Sequence, residues 1–252
     1  MASNFYAEIS EIYDSMIGSD AFLDELRAQY EVFLRTFRVK TAIDTACGSG
    51  YHSIALASSG VVVTACDIAP AMLEKARVNA ARHGVEIRFE NAAFDRTHRV
   101  TRAPVDAVFC MGNSIPHVLH TRALEAAIRS FYRALGDRGI VVIQLLNYDR
   151  IAKSGDRIVN IRRDGSDEYV RFYDFLSKTR VRFNVLAIDW SGDKPTHRLY
   201  STELKPYTLE QIIDSLEWVG FTDAAVYASM ELAPYDDDAS YGATVVARKA
   251  GR

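Results

Sequence analysis

Asp44, Ala46, Gly48 and Gly50 form one short run, and a second acid, Asp67, stands seventeen residues past Gly50. An apolar stretch, 39–43, leads into the run, and a helix-compatible stretch, 51–59, follows it. Asp67 closes a further apolar stretch, 61–66. Large side chains at 46, 48 and 50 would keep the backbone away from a ligand, and glycine also admits φ values closed to other residues. An acid at the carboxyl end of the neighbouring strand can accept protons from both hydroxyls of a ribose. A dinucleotide site would carry G-x-G-x-x-G, but the position three after Gly50 is Ser53. A pyrophosphate also wants bare amides at a helix N-terminus, and Asp44 would repel it. A sulfonium and an α-amino group are both positive and suit an acid there. The residues therefore point to S-adenosylmethionine (SAM) rather than to NAD.

The run resembles motif I of the class I SAM-dependent methyltransferases, D/E-x-G-x-G-x-G, with Ala46 in place of the first glycine. The resemblance implies a cofactor site made from Asp44, Ala46, Gly48, Gly50, Asp67 and the adjoining Ile68. Met72 either lies over the adenine or packs in a helix core. Ala92-Ala93-Phe94 follows the third strand, where the family often has an acid between alanine and aromatic. Ala93 removes that acid and leaves backbone amides and Phe94 for the adenine. Gly112-Asn113-Ser114 with His117, after the fourth strand, resembles the glycine and sarcosine N-methyltransferase branch. By that likeness the main chain of Met111 lies near the cofactor, Asn113 lines the acceptor pocket, and His117 lies near the cofactor's methionine end. The branch ends its fifth strand with Arg-Asn-Tyr-Asp, the arginine gripping the acceptor's carboxylate. This chain has Leu146 before Asn147-Tyr148-Asp149. Leucine cannot hold a carboxylate bidentately, so glycine is an unsuitable acceptor and a neutral, flatter or more apolar one fits better. Asn113, Tyr148 and His117 are the expected catalytic residues. Tyr6, Asn147, Arg198 and Tyr200 join Asn113 and Tyr148 as expected acceptor contacts. Tyr13, in Ile12-Tyr13-Asp14, is expected to close over the cofactor.

These residues need elements to carry them. Apolar residues at spacings of three and four predict helices over 4–37, broken at Gly18-Ser19-Asp20 with Ser19 or Asp20 as a cap. Strands are expected at 40–45, 61–66, 86–90, 106–110 and 140–146, and helices at 51–59, 70–83 and 121–135, the last ending in Gly136-Asp137-Arg138-Gly139. The βα alternation then stops. Residues 158–204 alternate apolar and polar and read as three or four antiparallel strands. A helix at 208–219, capped by Thr208 with Gln211 three residues on, and strands at 222–229 and 242–248 finish the chain. The expected fold is α/β, a Rossmann-like seven-stranded class I methyltransferase sheet with an antiparallel β lid inserted after strand 5. The expected organisation is a helical cap over 1–38, a SAM-binding core over 39–150, the lid over 151–204, and the last part of the core over 205–252.

The chain has 252 residues, a net charge of −3 and three cysteines. This balance gives no global attraction to nucleic acid or anionic membrane, and no apolar run approaches the roughly 20 residues that cross a bilayer. Residues 1–20 lack a basic n-region, so a cytoplasmic protein is expected. Cys47, Cys66 and Cys110 lie in or beside strands and read as reduced packing residues. No His/Cys metal spacing occurs. Met111-Gly112-Asn113-Ser114 stands where base-methylating DNA enzymes carry (Asp/Asn)-Pro-Pro-aromatic, so a small-molecule acceptor is expected and a nucleic acid is not. Methyl transfer from a sulfonium is an in-line displacement. A neutral nitrogen needs no dedicated base, whereas an oxygen usually needs a base or a metal, so nitrogen is the preferred acceptor. A small-molecule O-methyltransferase and a non-catalytic SAM-binding protein stay open, as does a homodimer formed through the N-terminal helices.

Overall fold

A computed structural model describes residues 2–17 and 20–251. Gly18 and the expected cap Ser19 lie outside the described residues. Helices α1 (Ala2–Ile9), α2 (Tyr13–Ile17) and α3 (Asp20–Phe37) come first. The alternation that follows is β1 (Thr41–Thr45), α4 (Tyr51–Ser58), β2 (Val62–Asp67), α5 (Pro70–Arg82), β3 (Arg88–Asn91), β4 (Val105–Cys110), α6 (Thr121–Ala134) and β5 (Leu135–Leu146). A short helix α7 (Tyr148–Ser154) leads to β6 (Ile158–Asp164), β7 (Asp167–Ser177), β8 (Arg180–Asp189) and β9 (Thr196–Leu204). Helix α8 (Leu209–Val219) and strands β10 (Phe221–Tyr227) and β11 (Gly242–Lys249) complete the chain.

Seven strands form one sheet in the order β10-β11-β5-β4-β1-β2-β3. The pairs among β1 to β5 are parallel, and β11 runs antiparallel to both β5 and β10. The central strands are buried on both faces, as their continuous apolar sequences require. Ala42, Ala107, Phe109, Ile140 and Val142 pack beneath α3 and α4. Their neighbours Ile43, Val108, Cys110, Val141 and Ile143 pack against α6 and α8 on the opposite face. This is the period of two of an extended chain. Phe109 is fully buried, edge-on to Tyr30 and Phe33 of α3 with ring centroids 5.8 and 5.7 Å away. Burying a side chain of that size stabilises by about 1.5–3 kcal/mol. The three cysteines are buried and free. No described helix is long and apolar enough to cross a membrane.

Strands β6 to β9 form a separate antiparallel sheet in sequence order. Its inner face packs on α1 and α2 through Tyr169 and Val185, which meet Phe5, Ile9 and Met16. Further along, Tyr173, Val181 and Leu204 close over Tyr148. The Arg162 Nε also donates to the Ser15 carbonyl at 2.8 Å, fixing the lid to α2.

Three local features depart from the sequence expectations. The N-terminal helical stretch has a further break at 10–12, where the Ser10 hydroxyl donates to the Ala7 carbonyl at 2.8 Å. Residues 136–139 do not form a helix-ending turn ahead of the strand: β5 begins at Leu135, and its pairing with β4 jumps from Val105↔Leu135 to Ala107↔Ile140. The glycine-rich segment is thus a bulge. A side chain at Gly139 would stand 3.0 Å from the Gly136 carbonyl oxygen, which is why glycine suits it. Helix α7 was unforeseen and crosses the 150/151 boundary. Asn147 caps it by accepting from the Arg150 amide at 3.0 Å, and Gly155, at φ +71°, ends it.

Candidate active site

The glycine turn sits at the carboxyl ends of β1 and β2, beside the first turn of α4. Ala46, Gly48 and Gly50 all take left-handed backbone, with φ of +58°, +56° and +89°. For Ala46, the residue that replaces a glycine of the motif, this conformation costs about 1–2 kcal/mol. A Cβ on Gly50 would stand 3.1 Å from the Ala76 Cβ, so the turn and α5 touch backbone to side chain. A Cβ on Gly48 would meet the Met72 methyl at 3.5 Å and the Tyr13 hydroxyl at 3.6 Å.

Asp67 is buried at the tip of β2. Its Oδ2 accepts from the Gly48 amide at 2.9 Å and its Oδ1 from the Ala69 amide at 2.8 Å. Burial raises its pKa, and those amide hydrogen bonds pull it back. Each oxygen retains a lone pair toward the cleft that Asp67 lines. Asp44 lies deeper and does not line that cleft. Its Oδ2 accepts from the Ser53 hydroxyl at 2.5 Å, and burial raises its pKa to about 7. Ser53, which breaks the dinucleotide pattern, thus supplies the donor that this carboxyl needs.

The cleft is lined by Tyr6, Tyr13, Ala46, Gly48, Asp67, Ile68, Phe94, Met111, His117 and Arg171, among others. Tyr13 is positioned from behind. Asn79 of α5 donates to Asp14 at 3.1 Å and to the Ser49 carbonyl at 3.0 Å, while Lys75 stands 3.6 Å from Asp14. The residue after Tyr13 is therefore bound to both α5 and the glycine turn. Asn79 carried no motif in the sequence; only its packing reveals the role. A smaller apolar recess opens off the cleft between Ala46, Ile68, Ala92, Ala93, Phe94, His117 and Val118. A bare turn, an acid at the second strand's tip and an apolar slot beside it match a ribose and an adenine in size order and polarity. Met72 is fully buried behind Gly48 and lines neither space, so it packs in the core rather than over a ligand.

On the far side, His117 is buried and its Nε2 pairs with the Tyr6 hydroxyl at 2.9 Å, while its Nδ1 has no partner among the described residues. Burial lowers its pKa to about 4. Asn113, at φ +59°, is committed on both ends: its Nδ2 donates to the Tyr148 hydroxyl at 2.7 Å and its Oδ1 accepts from the Leu146 amide at 3.0 Å. It clamps the loop after β4 to the end of β5. Tyr148 packs edge-on against Tyr173 of the lid at 6.0 Å and does not line the cleft. Asn147 donates to the carbonyls of Asp237 and Ser240 at 2.7 and 3.2 Å besides capping α7. Arg198 is exposed and Tyr200 packs toward α1, and neither reaches the cleft. The structure thus gathers Tyr6, Tyr13, Ala46, Gly48, Asp67, Ile68, Phe94, Met111 and His117 about one cleft. Ala93 joins them at the recess, and the Asn113–Tyr148 pair stands behind. Arg171 of β7 also lines the cleft. Its signal was its register: it falls between Tyr169 and Tyr173 on the inward face of an alternating strand.

The buried groups set opposing pH dependences. Burial lowers the pKa of His52 and His117 to about 4 each. Between their ordinary value and pH 4 the unfolded chain binds these protons and the folded chain does not, so their contribution falls as pH falls. Asp44 has the opposite sign. With a folded pKa of about 7 it holds a proton that the unfolded chain has already lost, so its contribution is present at low pH and lost as pH rises toward 7. Asp44→Asn keeps an acceptor for Ser53 and cannot ionise. Its stability relative to the parent should therefore climb between about pH 4 and 7, by up to roughly 1.4 kcal/mol per pH unit at the steepest point, and level off above that range. Calorimetry across that range checks it, and a pH-independent difference would contradict the raised pKa of Asp44.

Comparisons with known proteins agree with this geometry. A family model described as a methyltransferase domain matches residues 42–139. The glycine/sarcosine N-methyltransferase of Aphanothece halophytica is 26% identical over 214 residues, covering 84% of this chain and 78% of that protein. The glycine/sarcosine N-methyltransferase of Parasynechococcus marenigrum is 29% identical over 157 residues, 61% of this chain and 55% of its own length. This chain therefore spans about half of the second relative. In fold, an S-adenosylmethionine-dependent methyltransferase from Clostridium acetobutylicum superposes with a TM-score of 0.80 at 15% identity, over 98% of this chain and 99% of that one.

Proposed function

Because the chain belongs to the class I SAM-dependent methyltransferases, we propose that its acceptor is a neutral nitrogen on a small molecule, presented between Tyr6, His117 and the loop after β4. When bound, SAM supplies a methyl group activated by the adjoining sulfonium. Asp67 would hold the ribose hydroxyls, the recess at Ala93 and Phe94 the adenine, and the left-handed backbone at Gly48 the methionine chain. The remaining work is alignment, and fixing two partners in line contributes on the order of 7–11 kcal/mol. Tyr13, braced through Asp14 and Asn79, and Tyr6, braced on His117, would restrict the acceptor's approach from the helical side.

The observation that carries nitrogen over oxygen is His117. It is the one titratable base facing the acceptor side of the cleft among the described residues, and burial lowers its pKa to about 4. A base so weak serves poorly to deprotonate a hydroxyl, whereas a neutral amine or ring nitrogen attacks without one. Its neutrality also spares a cationic methyl donor a like charge. The names of the two curated relatives, both N-methyltransferases of glycine and sarcosine, support the same choice. Leu146 argues against their acceptors here. It packs beside Tyr148 and Tyr173 and gives no cation at the end of β5. The test is turnover of 13C-methyl SAM with a fractionated small-metabolite extract, the product being read by NMR. Labelled carbon bonded to nitrogen is expected, and carbon bonded to oxygen would overturn the proposal.

A further inference from the structure

Arg171 is the one Lys or Arg that lines the cleft among the described residues. It stands in the middle of β7, paired with Val185 of β8 on one side and Asn160 of β6 on the other. Tyr169 and Tyr173, two residues away in each direction, are buried on the same inward face. A guanidinium in such a row is costly unless something anionic meets it. The Arg171 Nε has no hydrogen-bond partner among the described residues. Tyr13, Tyr173 and Tyr241 near it are neutral phenols whose pKa values burial raises, Arg162 is a like charge, and no carboxylate is among the groups that act on it. Neighbouring cations of the lid differ: Arg157 meets Asp174 and Arg163 meets Glu168. Arg171 is thus a desolvated cation turned toward open space.

The charges of the site identify what fills that space. Asp67 is the one carboxylate lining the cleft among the described residues, and its oxygens already accept from Gly48 and Ala69. His52 and His117 are neutral at physiological pH. SAM and its product both end in a free α-carboxylate, which in a partly closed cleft needs a cation or several amides. Tyr13 lies between the two: its hydroxyl stands against Gly48, and it lines the same cleft as Arg171.

We infer that Arg171, reaching in from the lid, grips the α-carboxylate at the methionine end of the cofactor. This rests on the cleft being the SAM site. A planar guanidinium suits a carboxylate because two parallel N–H groups can meet its two oxygens.

Isothermal titration with S-adenosylhomocysteine and with 5′-methylthioadenosine separates the possibilities, because the second keeps the adenosine and sulfur but lacks the amino-acid end. Arg171→Gln should weaken S-adenosylhomocysteine about tenfold or more, equivalent to about 1.4 kcal/mol, and leave 5′-methylthioadenosine within about twofold. Arg171→Lys should fall between, keeping the charge without the fork. Unchanged affinity for S-adenosylhomocysteine in Arg171→Gln would overturn the inference and leave the guanidinium to an anionic acceptor. A parallel loss of both ligands would overturn it in favour of a purely architectural role. If the unaltered protein bound neither ligand, the placement of SAM itself would fail, a result distinct from both.

Discussion

Asp67→Ala should lower the affinity for S-adenosylhomocysteine by about 100-fold or more and destabilise the fold by roughly 2–6 kcal/mol. Both effects come from one carboxylate. In the free protein its two oxygens hold the amides of Gly48 and Ala69 at 2.9 and 2.8 Å. Removing it leaves two N–H groups beside a buried position without their acceptor, at about 1–3 kcal/mol each. The binding loss adds the charge-assisted bonds to the ribose, worth about 1.5–3 kcal/mol apiece. Asp67→Asn separates the two effects. It retains one oxygen for an amide but turns an NH2 group toward either the other amide or the ribose, so it should recover part of the stability and little of the affinity. Calorimetric titration and thermal melting on the same samples read both. A folded Asp67→Ala protein that binds S-adenosylhomocysteine normally would remove the ribose from this acid. Adenine would then be the anchor, held in the recess beside Ala93 and Phe94.

A methyl group added at residue 50 should cost about as much stability. Gly50 has φ +89°, and its Cβ would stand 3.1 Å from the Ala76 Cβ and 3.4 Å from the Ala76 Cα. Left-handed backbone costs a Cβ-bearing residue about 1–2 kcal/mol, and overpacking a tight contact adds about 1–3 kcal/mol. Gly50→Ala should therefore lower the melting temperature by roughly 5–15 °C in a chain of this size. Ala76→Gly in the same chain removes the contact and not the backbone strain. The double variant should regain part of the contact cost relative to what Ala76→Gly does alone, a coupling that a double-mutant cycle isolates. Zero coupling would mean that α5 yields freely and that only the dihedral matters. Gly48→Ala is the instructive contrast. Its nearest neighbours would be the ends of two side chains, Met72 at 3.5 Å and Tyr13 at 3.6 Å, so its structural cost is chiefly the backbone strain at φ +56°.

Much of the fold was written in local patterns. Thr208 and Gln211 form the capping box that their spacing announced, with Thr208 accepting from the Gln211 amide and Gln211 accepting from the Thr208 amide. The continuous apolar run at 140–146 became a strand buried on both faces, whereas the run at 61–66 became a strand that leaves Val62 exposed at its start. The alternation over 158–204 became a four-stranded antiparallel sheet. Where the sequence misled, the competing force was also local. Asn147 is expected as an acceptor contact through its likeness to the Arg-Asn-Tyr-Asp of the N-methyltransferase branch; in the structure its side-chain oxygen caps α7. Met72 was open between core and adenine, and the structure buries it fully behind Gly48. Gly136 and Gly139 marked a turn by composition, yet the chain keeps pairing around them as a bulge.

The sequence by itself determined the ligand class, because a side-chain-free bend, its spacing to an acid and the missing third glycine are all features of one short stretch of chain. Backbone sterics and charge act there over a few residues, and no distant segment is needed to read them. Only the tertiary structure decided who faces the cleft from elsewhere. Asn113 turned out to clamp Tyr148 and Leu146, Asn79 to brace the helix that carries Tyr13, and Arg171 to line the cleft with an Nε that has no partner among the described residues. These roles depend on contacts across tens to more than a hundred residues of chain, set by how the lid and the N-terminal helices pack. A hydrogen bond or an unmet charge at that separation leaves no periodicity in the sequence to read.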